Sequence, residues 1–238
     1  MQKGKAGASL LALAIGLVWP AAPQAAESDQ LFGMFMAEQL EYRVQKGRNL
    51  IYWDAEAWIG GDDDKLWLKT EGEKKRDDEF ERAELHILYS RRISDFFDLQ
   101  GGVRHDFRPG PSRTFGTVGL QGLAYYFIEA DIAAFISNKG EFSARLTGEI
   151  DLPITQSLIL QPKAEINLSA ENVRERGIGR GVDSLELGLR LRYEIVPEFA
   201  PYIGVNWERR LGRSADYARD EGERAGELSF VAGLRFWF

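Results

Sequence analysis

Apolar and polar residues alternate almost one for one along most of this chain. In EFSARLTGEIDL (141–152), Phe142, Ala144, Leu146, Gly148, Ile150 and Leu152 share one parity; Glu141, Ser143, Arg145, Thr147, Glu149 and Asp151 share the other. SLELGLRLRYEI (184–195) sets Leu185, Leu187, Leu189, Leu191, Tyr193 and Ile195 against Glu186, Arg190, Arg192 and Glu194. The C-terminal ELSFVAGLRFWF (227–238) repeats the arrangement, with Val231 out of type among the polar positions. A period of two belongs to an extended strand; a helix would scatter these residues around its circumference.

About twelve such segments are predicted as strands: 31–42, 50–59, 65–73, 79–90, 96–106, 114–124, 127–137, 141–152, 158–170, 184–195, 201–211 and 227–238. Each is about 10 residues long, the length a tilted strand needs to cross a bilayer. Their connections alternate in character. RVQKGRN, EGEKKRDDE, RHDFRPGPSR, ENVRERGIGRGVD and GRSADYARDEGERAG are long or charged, with the short SNKG in the same series. GGDDD, RRISD, YY, PITQ and VPEFA are brief. Long loops at one end, with short turns and both termini at the other, are the asymmetry of outer-membrane barrels.

A soluble sandwich would show the same period with its apolar face turned inward. Two features favour lipid instead. Aromatics cluster near strand ends (Tyr52, Trp53, Trp58, Trp67, Tyr89, Tyr125, Tyr126, Phe127, Tyr193, Tyr202, Trp207 and Trp237), where an interfacial girdle belongs. The final strand runs to Phe238, so it can pair with the first and remove both edges, a closure that hydrocarbon makes compulsory. The expected fold is all-β: an antiparallel transmembrane β-barrel of about twelve strands, both termini periplasmic.

Composition narrows the setting. Lys3 and Lys5 precede ASLLALAIGLVWP and the small-residue stretch AAPQAA, which reads as a secretory leader over 1–26, leaving 27–238 as the barrel. The formal charge is -7, becoming -9 without the leader lysines, and no basic stripe suggests nucleic acid. The absence of cysteine excludes disulfides and thiolate metal sites.

With the apolar parity outside, the lumen fills with charge: Asp54, Glu56, Arg82, Glu84, Arg104, Arg145, Lys163, Glu165, Arg190 and Glu208 among others. These groups can brace one another, or their carboxylate excess can draw cations inward. His86 shares parity with Arg82 and Glu84 and should face the lumen. His105, beside Asp106, shares parity with Leu99 and Val103 and should face outward unless the strand has bent. Met34, Met36 and Glu38 share a face; two thioethers suit Cu(I), whereas imidazole and carboxylate suit Cu(II). A hydrolase at the rim would need His105 with Asp106, Ser112 or Asp216, and no Gly-x-Ser-x-Gly elbow is present.

MAEQLEYR, WDAEAWIGGDDDKLWLKTEGE, GVRHDFRPGPSRTFGTVGLQGLAYYFIEA and YIGVNWERRLGRSADYARDEGE, with the closing VAGLRFWF, resemble the copper resistance protein B family of outer-membrane proteins. The resemblance spans about residues 34–238. It implies a barrel in the outer membrane of a Gram-negative bacterium, serving copper homeostasis beside periplasmic copper-handling proteins, and no enzyme. Many members of that family carry a Met- and His-rich segment before the barrel, and here only ESDQ separates leader from first strand. Weakly bound or transported copper would then rest on Met34, Met36, Glu38, His86, His105 and Asp106. The alternatives are a general polar pore, a structural barrel, or the rim-active hydrolase.

Overall fold

The computed structural model describes residues 31–46, 48–75 and 80–238; the expected leader lies outside them. The strands are β1 (Phe32–Gln45), β2 (Arg48–Gly60), β3 (Asp64–Lys75), β4 (Phe80–Arg92), β5 (Phe97–Arg108), β6 (Arg113–Ala124), β7 (Ile128–Ser137), β8 (Phe142–Glu149), the two-residue β9 (Leu152–Pro153), β10 (Leu158–Ser169), β11 (Gly181–Tyr193), β12 (Phe199–Arg210) and β13 (Gly226–Trp237). All neighbours are antiparallel, β13 pairs with β1, and β10 pairs with β11, so the twelve long strands close into a barrel. At the seam the N–H of Phe35 donates to the carbonyl of Phe238, and the N–H of Phe238 donates back, both at 3.0 Å. The start of β1 and the C-terminal Phe238 therefore lie at the rim that carries the short turns.

Parity decides the faces as expected. Leu40, Tyr42 and Val44 on β1, Ile203 on β12, and Leu228, Phe230 and Leu234 on β13 are exposed on the outer wall. Glu41, Arg43, Arg190, Arg192, Asn206 and Ser229 are buried on the inner one. Val231, the out-of-type residue, is buried inside.

Three details differ from the alternation pattern. The strands reach further into the long-loop end: β1 continues through Arg43 to Gln45, and β5 continues to Arg108. Arg43 looks like loop polarity in sequence, but it stays in the ladder because its guanidinium pairs with Glu41 (2.8 Å) and lies 3.7 Å from the Tyr52 ring centroid. The segment 141–152 breaks after Glu149, and only Leu152–Pro153 rejoins β10. Opposite the break, Pro162 accepts from the Ile150 N–H at 3.2 Å but has no N–H to return the bond, which weakens the ladder there. Third, Tyr52, Trp67 and Tyr202 belong to the lumen instead of the aromatic girdle, with the Tyr52 and Tyr202 hydroxyls donating to Glu71 and Glu41.

Tyr202 has room because residue 233, directly across from it, is glycine. A Cβ at Gly233 would sit 2.6 Å from the Tyr202 ring and 2.8 Å from the Leu40 carbonyl. Gly233→Val is expected to cost about 1–3 kcal/mol as an overpacking change, read as a lower urea midpoint for the refolded barrel.

The long-loop end is partly covered. Helix α1 (Gly212–Asp220) buries Ser214, Ala215 and Ala218, and the Ser214 hydroxyl accepts from the Gly179 N–H at 2.7 Å and bonds to Asp183. These contacts tie the β12–β13 connection to the β10–β11 connection.

Candidate functional site: the barrel lumen

Inward parity on β3, β4, β5, β8 and β10 brings Glu71, Arg82, Glu84, Arg104, Arg145 and Glu165 together at mid-lumen. Arg145 Nη1 donates to Glu84 Oε1 at 2.7 Å and to Glu71 Oε2 at 3.0 Å. Arg104 Nη2 lies 2.9 Å from Glu84 Oε2, Arg82 Nη2 lies 2.7 Å from Glu71 Oε1, and Arg145 Nε lies 3.5 Å from Glu165. The Arg104 guanidinium also stacks 4.8 Å from the Phe135 ring centroid. This crossbar separates two cavities, a vestibule of about 600 Å³ at the long-loop end and a chamber of about 440 Å³ toward the termini; Glu84, Phe135 and Arg145 line both.

A second bracket flanks the crossbar. Arg190 donates to Glu41 at 2.6 Å and to Gln39 at 3.0 Å, and Glu41 also accepts from Arg43 and Tyr202. Buried ions held in several charge-assisted hydrogen bonds fix relative strand positions, whatever their net effect on stability.

The vestibule is strapped from above. Arg176, in the β10–β11 connection, reaches down to Asp106 at 2.5 Å, where Arg104 Nε already donates at 2.6 Å. Arg176→Ala is expected to cost only about 1–3 kcal/mol, because Asp106 keeps Arg104. The expected signature is faster proteolytic cleavage within 170–180, with the barrel still folded.

The same connection is clasped at Glu175, which pairs with Arg113 (2.5 Å) and Lys139 (3.0 Å); Arg113 also holds Glu141. Hydrogen bonds from Lys139 and Arg113 lower the Glu175 pKa. Burial pushes Glu141 up, but the Ser137 hydroxyl and Arg113 outweigh it and leave its pKa lowered as well. Lowered carboxyls stabilise the clasp above their unfolded pKa and lose that contribution as pH falls through the folded value. Protection of 170–180 from hydrogen exchange is therefore expected to hold at neutral pH and to fall below the ordinary carboxylate range. Glu175→Gln should flatten that dependence.

The candidate residues separate into different places. Met36, Glu38 and His86 line the terminal-side chamber. Arg235 bridges the first two, donating to Glu38 at 3.0 Å and to the Met36 sulfur at 3.5 Å. His86 Nε2 bonds to Glu84 Oε1 at 3.0 Å and packs edge-on to Phe135. Met34 follows the same parity on β1 but does not line that chamber. Asp106 is across the crossbar in the vestibule. His105 lies on the outer wall, bonded to Thr114 Oγ1 at 2.8 Å and stacked on Phe107, so His105 and its neighbour Asp106 stand on opposite faces. Asp216, another of the rim candidates, pairs with Arg219 on α1. Among the described residues no group of three His, Asp or Glu side chains stands close enough to hold a metal ion.

Reading single strands misses the crossbar, because its members meet only across the lumen. Their inward parity was the available signal.

A closed antiparallel barrel with an apolar exterior and an ionised interior defines an outer-membrane β-barrel protein. A solved NanC porin structure shares the fold with a TM-score of 0.58, covering 85% of this chain and 98% of the porin at 15% identity. The chain belongs to the copper resistance protein B family: the profile for copper resistance protein B precursor (CopB) matches residues 31–238. Copper resistance protein B of Escherichia coli is 46% identical over 205 residues, covering 86% of this chain and 69% of that protein. A copper resistance protein B homolog of Pseudomonas syringae pv. tomato is 43% identical over 204 residues, with the same coverage.

Proposed function

We propose that this barrel passes copper ions across the outer membrane through its lumen, without catalysing a reaction. The leader, cleaved near Ala26, would export the chain; the long loops would face the cell exterior, and both termini the periplasm. Periplasmic copper-handling proteins would then meet the short-turn rim.

One observation carries the reading. Glu165, Glu186, Glu208 and Glu227 stand in direct register on β10, β11, β12 and β13. Cross-strand neighbours of this kind are about 4.5–5.5 Å apart, and like charges so placed are destabilising. Barrel strands tilt, so a row in register climbs along the axis as it passes around it. The row begins at the crossbar, with Glu165 lining the chamber, and continues through Glu186 and Glu208 to Glu227 in the vestibule. Arg43 pairs with Glu186, and Arg48 and Arg224 pair with Glu227, while Glu208 makes no ion pair among the described residues. A ladder of carboxylates with a free rung suits a cation that must bind and leave.

The crossbar itself favours a second reading, a plugged structural barrel. A strain lacking the gene separates the two. Copper sensitivity of that strain, rescued by the wild-type gene and rescued less by Glu208→Gln, supports copper passage. Equal sensitivity to zinc, cobalt and detergent supports the barrier role.

A further inference from the structure

The chamber on the terminal side is more acidic than its pairing can explain. Away from the crossbar it is lined by Glu38, Asp54, Glu56, Glu129, Asp131 and Glu149. Three cations answer these six carboxylates: Arg235 holds Glu38, Lys163 lies 3.4 Å from Asp54, and Lys69 divides between Asp131 (3.0 Å) and Glu56 (4.0 Å). Glu129 and Glu149 make no ion pair within 4 Å among the described residues, although they face each other directly across β7 and β8; Lys163, across from Glu149 on β10, reaches Asp54 instead. Opposed like charges raise the energy of the wall unless something positive lies between them.

Two further side chains lining the same space carry polar atoms left unsatisfied among the described residues. Thr117, 8% exposed, lines the chamber with a hydroxyl that has no hydrogen-bond partner, and Glu149 Oε2 is buried without one. Gln100 and Gln121, also in the lining, supply further polar groups. Donors and acceptors are thus spread around the walls, while among the described residues no three His, Asp or Glu side chains converge closely enough to coordinate a metal. The cavity of about 440 Å³ is roomy: six waters at about 30 Å³ each fit around an ion.

From this combination we infer that the chamber is a binding site for a cation that keeps its water shell, held by outer-sphere hydrogen bonds from Glu56, Glu129, Glu149 and Thr117. Carboxylates at second-shell distance suit a hydrated ion, because its bound waters donate and every wall acceptor can be satisfied. The site deepens the proposed copper path by placing a waiting station below the crossbar, and it rests on that reading only for the identity of the ion.

Hexaamminecobalt(III) tests it. This ion exchanges its ligands too slowly to form inner-sphere bonds, and its N–H groups mimic bound water. Binding to the full-length mature barrel in detergent is measured by equilibrium dialysis, with folding checked by heat-modifiable gel mobility. Saturable binding that weakens at least about tenfold in the double variant Glu56→Gln/Glu149→Gln is expected, because two unit charges beside a trivalent ion contribute more than that even at the dielectric of water. Thr117→Val should weaken it about twofold, consistent with the loss of one modest hydrogen bond. Glu223→Gln, in the vestibule, should leave it unchanged. Absence of saturable binding, or equal affinity in wild type and in the folded double variant, would overturn the site. Copper conductance across planar bilayers is recorded on the same protein. Binding without conductance upholds the chamber and removes the passage; conductance without binding does the reverse.

Discussion

Glu84→Ala is expected to cost the barrel about 3–5 kcal/mol, the largest loss for any single lumen substitution considered. The Glu84 side chain is 2% exposed and accepts from Arg145 and Arg104, with Arg82 at 3.7 Å and His86 at 3.0 Å. Removing the carboxylate leaves Arg82 and Arg145 with only Glu71 and Glu165 to answer them at mid-lumen, and Arg104 with Asp106 alone. A charge abandoned by its partner in a low-dielectric space is far more costly than an absent pair. The check is urea unfolding of the refolded protein in lipid vesicles. The double change Glu84→Ala/Arg145→Met should recover part of the loss, and a cycle over the four proteins measures the coupling. A loss below about 1 kcal/mol for Glu84→Ala alone would mean that water already screens the crossbar.

Ile203→Arg is expected to cost about 2–4 kcal/mol by the opposite route. Ile203 sits in the middle of β12 and is 63% exposed on the outer wall, where the bilayer replaces water as the neighbour. An arginine there must snorkel or drag water into hydrocarbon. In contrast, Asn206→Asp on the same strand changes charge on the lumen face, where Arg190 is a near neighbour, and should cost less. Comparing urea midpoints for the two variants tests which side of the wall meets lipid. Equal tolerance at both positions would contradict the assignment of faces.

Those two experiments rest on features of unequal visibility in the chain. The faces were legible because side-chain parity is a local property: Ile203 and Leu234 announce themselves by their neighbours at i±1. The opposite orientations of His105 and Asp106 follow from the same parity. The crossbar was not legible, because Arg145 meets Glu84 and Glu71 across 61 and 74 residues of chain. The glutamate row needs register, and register depends on where each turn ends. Tyr52, Trp67 and Tyr202 were read as girdle residues because aromatics near strand ends usually are; their phase with Asp54, Lys69 and Gly204 instead places them inside. The end of β1 looks like loop in the same way, since charge at Arg43 signals loop only when no partner such as Glu186 waits within the lumen.

The seam between Phe35 and Phe238 has a practical consequence for how the polypeptide can be rearranged. Beginning and end leave the cylinder at one rim, on adjacent staves, so a short linker can splice them without crossing the membrane. New ends opened between Asp220 and Gly226 would interrupt no ladder. A circular permutant of 31–238 built this way keeps every stave beside its original neighbours, and it moves the free ends to the opposite face of the bilayer.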